Sequence, residues 1–122
     1  MTRYTKDHEW VRMEGDLAVI GISTYAVEQL GDVVFVELPG EGKDFTAHAA
    51  MATVESAKAA SDVYAPISGQ IAAANAALSD KPELVNEAPE GVGWFVKIKP
   101  SNPAEIEALM DAGAYADYVK GL

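Results

Sequence analysis

The chain has 122 residues, the size of one domain and enough to bury a single core. Its 19 acidic and 9 basic residues give a formal net charge of −10, which repels phosphate backbones and anionic lipid, so binding to nucleic acid or to a membrane surface by counterion release is excluded. With no cysteine there is no disulfide scaffold, thiolate nucleophile or cysteine zinc site. His8 and His48 alone supply imidazole and do not fall at ligand spacing, so no metal site is expected.

No apolar run approaches the roughly 20 residues that a membrane helix requires, and residues 1–7 hold no signal-peptide apolar core. A soluble, cytoplasmic monomer is the expectation. In chain order, Glu9 to Arg12 and Leu17 to Ile22 flank Glu14-Gly15-Asp16 and predict a hairpin. Ser23 is placed to cap a short helix through Tyr25 to Leu30, with Gly31 suited to the left-handed position that ends it. Val33 to Leu38, apolar except for Glu37, predicts a well-buried strand that stops at Pro39-Gly40-Glu41-Gly42.

Further on, Gly69 to Asn75 is strand or helix by composition, and its glycine and asparagine brackets favour strand. Lys81 to Asn86 reads as a helical turn with Pro82 at its first position, and Trp94 to Lys99 alternates as a half-buried strand does. Asn102-Pro103-Ala104-Glu105 predicts a helix from Pro103. Ile106, Leu109 and Met110 share one face, Gly113 interrupts, and Tyr115, Tyr118 and Val119 form a second apolar patch over the body of the protein. His8 and Trp10 read as structural residues. The residues between Val19 and Phe45 and those between Val54 and Leu84 show a faint duplication of strand, turn and strand.

The most informative stretch is Val54-Glu55-Ser56-Ala57-Lys58-Ala59-Ala60-Ser61-Asp62-Val63-Tyr64-Ala65-Pro66. Thr53-Val54 and Val63-Tyr64 lean to strand, so a hairpin over about 53–66 carries Lys58 near its tip. Ala57, Ala59 and Ala60 leave the lysine stem uncovered, while Glu55, Ser56, Ser61 and Asp62 keep the turn polar. An amine displayed in this way suits covalent attachment; otherwise it is an ordinary solvated charge.

Glu55-Ser56-Ala57-Lys58-Ala59 resembles the lipoylation motif, with an acid three residues before the lysine. Biotin carriers place methionine on both sides. The continuation to Gly69 resembles the glycine cleavage system H proteins, as do His8-Glu9-Trp10, Gly21-Ile22-Ser23, Leu30 to Pro39, Pro82 to Asn86 and Gly93 to Ile98. The resemblance implies a mainly β fold: a barrel-sandwich hybrid of two antiparallel sheets with short helices and a C-terminal helical segment at about 103–120, all within one lipoyl-carrier domain, 1–122. Pattern alone gives only an all-β body with a C-terminal helix.

The same resemblance implies a carrier that is not itself an enzyme, with lipoate joined to Lys58 as a swinging arm. The arm takes an aminomethyl group from glycine at the pyridoxal-phosphate glycine decarboxylase and yields its carbon to tetrahydrofolate at the aminomethyltransferase. It is reoxidised by the flavin-dependent dihydrolipoyl dehydrogenase. Glu9 and Asp62 match positions that hold the loaded arm, and Glu55 matches a recognition position for the lipoate-attaching enzymes.

Departures from the family pattern are Ala47-His48-Ala49, where a glycine is usual at the central position, Ala57 in place of valine, and Asp7 and Gln29 near the docking cleft. Loss of the turn glycine questions the local geometry, because histidine accepts positive φ less readily. The alternative function is an H-like lipoate carrier for other chemistry, such as sulfur oxidation. A stand-alone enzyme is disfavoured by the lack of a nucleophile and base constellation.

Overall fold

The structure, a computed structural model, describes residues 2–122. Nine strands and five short helices follow in the order β1 (Thr2–Tyr4), β2 (Glu9–Glu14), β3 (Leu17–Ile22), α1 (Thr24–Leu30), β4 (Val33–Glu37), β5 (Asp44–Phe45), β6 (Ala50–Ser56), β7 (Ala60–Tyr64), β8 (Gly69–Ala74), α2 (Ala77–Asp80), α3 (Leu84–Glu87), β9 (Val96–Pro100), α4 (Ala104–Glu107) and α5 (Ala112–Lys120) among the described residues. Two antiparallel sheets result: a six-stranded one ordered β1-β2-β3-β9-β8-β5, and a three-stranded one ordered β4-β6-β7. Together they form the expected barrel-sandwich hybrid, mainly β with short helices.

The two sheets enclose one apolar cluster. Val11, Ile20 and Ile98 from the large sheet meet Val36, Val54 and Val63 from the small one, with Ile67, Leu78, Val85 and Phe95 filling the ends. Each such side chain removed from water contributes roughly 1.5–3 kcal/mol, and this burial holds the sheets face to face. The Glu9–Glu14 and Leu17–Ile22 hairpin turns through Gly15, at φ 62°. Trp10 is fully buried, its indole N–H donating to the carbonyl of Pro89.

Several elements differ from the sequence reading. The strand from Val33 is not well buried: Val33 and Val36 face inward, but Val34 and Phe35 are 56% and 47% exposed. A bulge between Val33 and Phe35 shifts the register against β6 and breaks the alternation, which a continuous apolar run cannot reveal. Gly31 has positive φ, but at ψ −152° it lies in an extended region open essentially to glycine, not in the left-handed helical one.

The regular turn of α3 starts at Leu84, after a tighter turn through Lys81-Pro82-Glu83. Pro103 is the residue before α4, and no side chain caps that helix. The break between α4 and α5 falls at 108–111 and not at Gly113. Met110 pairs with Tyr4 through two backbone hydrogen bonds, and the Asp111 side chain caps the next helix at Ala114 N–H. A tertiary bridge outweighs the local weakness of glycine, which sits harmlessly in the first turn of α5. Strands β1 and β5 and helix α2 are too short to leave a periodic signal.

Candidate functional site

The β6–β7 hairpin carries Lys58 at its tip. Glu55 pairs with Ala60, and a hydrogen bond of 2.8 Å from Ser56 N–H to the Ala59 carbonyl closes a two-residue loop of Ala57 and Lys58. Loops this short usually need positive φ, yet among the described non-glycine residues only His8 and His48 have it. The Ser56 hydroxyl supplies the compensation, accepting from the N–H groups of Lys58 (3.3 Å) and Ala59 (3.1 Å). Lys58, Ala57 and Ala59 are exposed, and Lys58 takes no part in either ion pair of the described residues.

The turn rests on a built support. Ala57 N–H donates to the carbonyl of Asp32 at 3.1 Å, joining the lysine loop to the connection between α1 and β4. That connection is clamped by Asn86 on α3: its Oδ1 accepts from Val33 N–H at 2.8 Å, and its Nδ2 donates to the Gly31 carbonyl at 2.9 Å. The Lys58 stem lies against Gly31. Sequence reasoning gave neither Ser56 nor Asn86 a site role. An asparagine within the short helical turn expected at 81–86 was the available hint.

Beside the support lies a cleft of about 330 Å³ between α1, β7 and the start of β2. Ile22, Leu30, Val54 and Val63 give it an apolar wall, while Asp7, Glu9, Gln29 and Asp62 add polar groups. Glu9 and Asp62, far apart in sequence, thus share one cavity, and Asp7 and Gln29 line it too. Glu55 does not: it is exposed on β6 beside the lysine turn, opposite Phe35.

Glu9 is 2% exposed, and its carboxyl accepts from the Thr5 hydroxyl at 2.7 Å. Burial, aided by the nearby Asp7 charge, raises its pKa from 4.5 to about 7, against the opposing effect of hydrogen bonds from Thr5 and the Tyr64 backbone. It is the cleft's group poised near neutrality. His8, at φ 71°, also lines the cleft. Its Nδ1 lies 2.7 Å from the Tyr115 hydroxyl, which is 2.7 Å from the Ser23 hydroxyl, and that hydroxyl caps α1 at Ala26 N–H. Burial lowers the His8 pKa, and the neutral ring is the form that accepts from Tyr115. α5 is thereby tied to the wall of the cleft, and Tyr115 also stacks on Tyr4 at 4.3 Å. His48 keeps the conformation of the usual glycine, with φ 74° and its N–H on the Ala65 carbonyl at 2.7 Å.

Two sheets folded around one core, a hairpin that displays a lysine and an adjoining apolar cleft define a carrier domain of the barrel-sandwich hybrid class. The family model for the glycine cleavage H-protein matches residues 2–121. The chain is 61% identical over 120 residues to the glycine cleavage system H protein of Xanthobacter autotrophicus, covering 98% of this chain and 96% of that one. It is 58% identical over 117 residues to the one from Caulobacter vibrioides, covering 96% and 97%. A crystal structure of a glycine cleavage system H protein from Mycobacterium marinum superposes with a TM-score of 0.89 at 39% identity, covering 99% of this chain and 97% of that one. The chain belongs to the glycine cleavage H-protein family, the carrier component of the glycine cleavage system.

Proposed function

We propose that this protein carries lipoate in amide linkage on Lys58 and passes an aminomethyl group between the enzymes of glycine cleavage. The single observation that carries this reading is the exposed Lys58 in a hydrogen-bonded two-residue loop, flanked by alanines and free of ion pairing among the described residues. When bound, the group supplies a redox-active dithiol, which a chain without cysteine lacks. The residues present fit it: the lysine stem crosses Gly31, and the preceding Leu30 lines the cleft, so an arm rooted at Lys58 starts at the rim of an apolar cavity.

Of the three carboxylates that line that cleft, Asp7, Glu9 and Asp62, the last two are the proposed partners of a protonated amine. A carboxyl buried as Glu9 is gains most from a cation that enters beside it, because the charge-assisted hydrogen bond offsets the desolvation of both groups. Held there, an amine is screened from water. Tethering then presents the group to each visited enzyme at an effective concentration of about mM. Glycine decarboxylase, aminomethyltransferase and dihydrolipoyl dehydrogenase are the proposed stations, with a lipoate-attaching enzyme reading Glu55. The names of the relatives support glycine cleavage over sulfur oxidation.

Intact-mass measurement tests the attachment. Incubation with a lipoate ligase, lipoate and ATP should add one lipoyl increment, and Lys58→Arg should abolish it. An increment that survives Lys58→Arg, or that maps to another residue, overturns the assignment.

A further inference from the structure

We propose that Val34 and Phe35, turned outward together by the β4 bulge, form the apolar centre of the surface on which the lipoate-attaching enzyme docks. This inference rests on Lys58 as the attachment point. Two consecutive apolar residues on a strand normally face opposite ways, one inward and one outward. Here the register moves directly from Val33 opposite Ser56 to Phe35 opposite Glu55, so Val34 has no partner and both side chains are about half exposed. Leaving this much apolar surface in water costs burial energy that a regular strand would retain, and bulges commonly re-aim side chains near functional sites.

The surroundings say what kind of surface fits. Phe35 stands opposite Glu55, which pairs onward with Ala60; one step along, Glu37 stands opposite Thr53, which pairs with Asp62. Asp32 and Glu37 thus flank the apolar pair along the chain, Glu55 stands beside it on β6, and Asp62 lies one strand further on β7, so carboxylates border the pair on its β6 side. Lys43 is the basic side chain in the groove beyond Glu37. An apolar centre with an acidic rim complements a partner that offers an apolar recess edged by arginine or lysine.

Reach selects the attaching enzyme over the enzymes visited later. It must bring an activated acyl carbon to bonding distance of Nζ before any arm exists. Glu55 pairs with Ala60 one step below the two-residue turn that carries Lys58, so a protein that encloses the amine also covers the Phe35–Glu55 row. Enzymes that meet the loaded arm engage a group on the order of 10 Å further out and need not cover that row.

The test uses the full unmodified chain as substrate of a lipoate ligase, with the rate followed by intact mass. Phe35→Ser should raise KM for the chain roughly tenfold with kcat within about twofold, and Val34→Ser should act in the same direction. Phe35→Leu should restore most of the affinity, and Met13→Ser, at another exposed apolar site, should change nothing. For the wild type, KM should rise between about 0.05 and 0.5 M NaCl as the rim charges are screened. If Phe35→Ser fails to fold, Val34→Ser and the salt series decide the matter. Unchanged kcat/KM in the folded variants, a loss confined to glycine decarboxylation, or an effect on self-association alone overturns the proposal. Failure to modify wild-type Lys58 would instead overturn the attachment reading.

Discussion

A methyl group at Gly31 would come within 3.2 Å of Lys58 Cε, so the stem of the display lysine lies over a backbone position that has no side chain to obstruct it. Gly31 also sits at φ 80°, where an L side chain is strained. Gly31→Ala should therefore cost about 1–3 kcal/mol in stability and displace the lysine stem. Chemical denaturation reads the first effect and the lipoylation rate of the folded fraction reads the second. Wild-type values of both would show that this close approach carries no constraint.

Glu9 should make stability depend on pH in an unusual direction for an acid. Its folded pKa of about 7 lies above the ordinary 4.5, so the native state keeps a proton that the unfolded chain has released. Stability from this site is complete below about pH 4.5, falls as pH rises through the window to about 7, and is constant above it; the total loss is about 3 kcal/mol. Glu9→Gln removes this slope. The variant should gain on the wild type between pH 4 and pH 8, measured as urea midpoints at both values. Parallel profiles would show that Glu9 titrates normally.

His48→Gly should stabilise the protein by about 0.5–1 kcal/mol, because histidine bears a left-handed penalty that glycine does not, partly offset by the greater freedom of glycine in the unfolded chain. Its side chain is exposed, and the N–H bond to Ala65 survives the change. A lower melting temperature would mean that the imidazole makes a contact of its own worth more than the strain.

The parts of this architecture legible in the sequence were those with local chemistry. The Gly15 turn, the Ser23 cap and the alanine-flanked Lys58 each announce a backbone geometry through residue type. The acidic positions Glu9 and Asp62 came from motif resemblance, and only folding shows that they line one cleft. Non-local features were silent. The Val34 bulge looks like an ordinary apolar run, because burial of a strand depends on its partner's register. The α4–α5 break is set by Met110 bridging to Tyr4, more than a hundred residues away, so the glycine at 113 misled.

Asn86 illustrates the same point and makes the sharpest mutational prediction. It touches neither Lys58 nor the cleft, yet it holds Gly31 and Val33 on either side of Asp32, whose carbonyl anchors Ala57. Asn86→Ala leaves a donor and an acceptor of the loop unpaired, at about 1–3 kcal/mol in all. If the clamp acts only on stability, lipoylation of the folded protein should proceed at the wild-type rate. If it positions the turn, the Ala57 amide should lose hydrogen-exchange protection selectively, and lipoylation kcat should fall at unchanged KM. Asn86→Asp keeps the acceptor for Val33 but loses the donor to Gly31, and should fall between the two. A control of equal destabilisation, such as Leu78→Ala in the core, should leave Ala57 protection reduced only in proportion to global stability. Equal behaviour of the control and Asn86→Ala would reduce the asparagine to a structural residue.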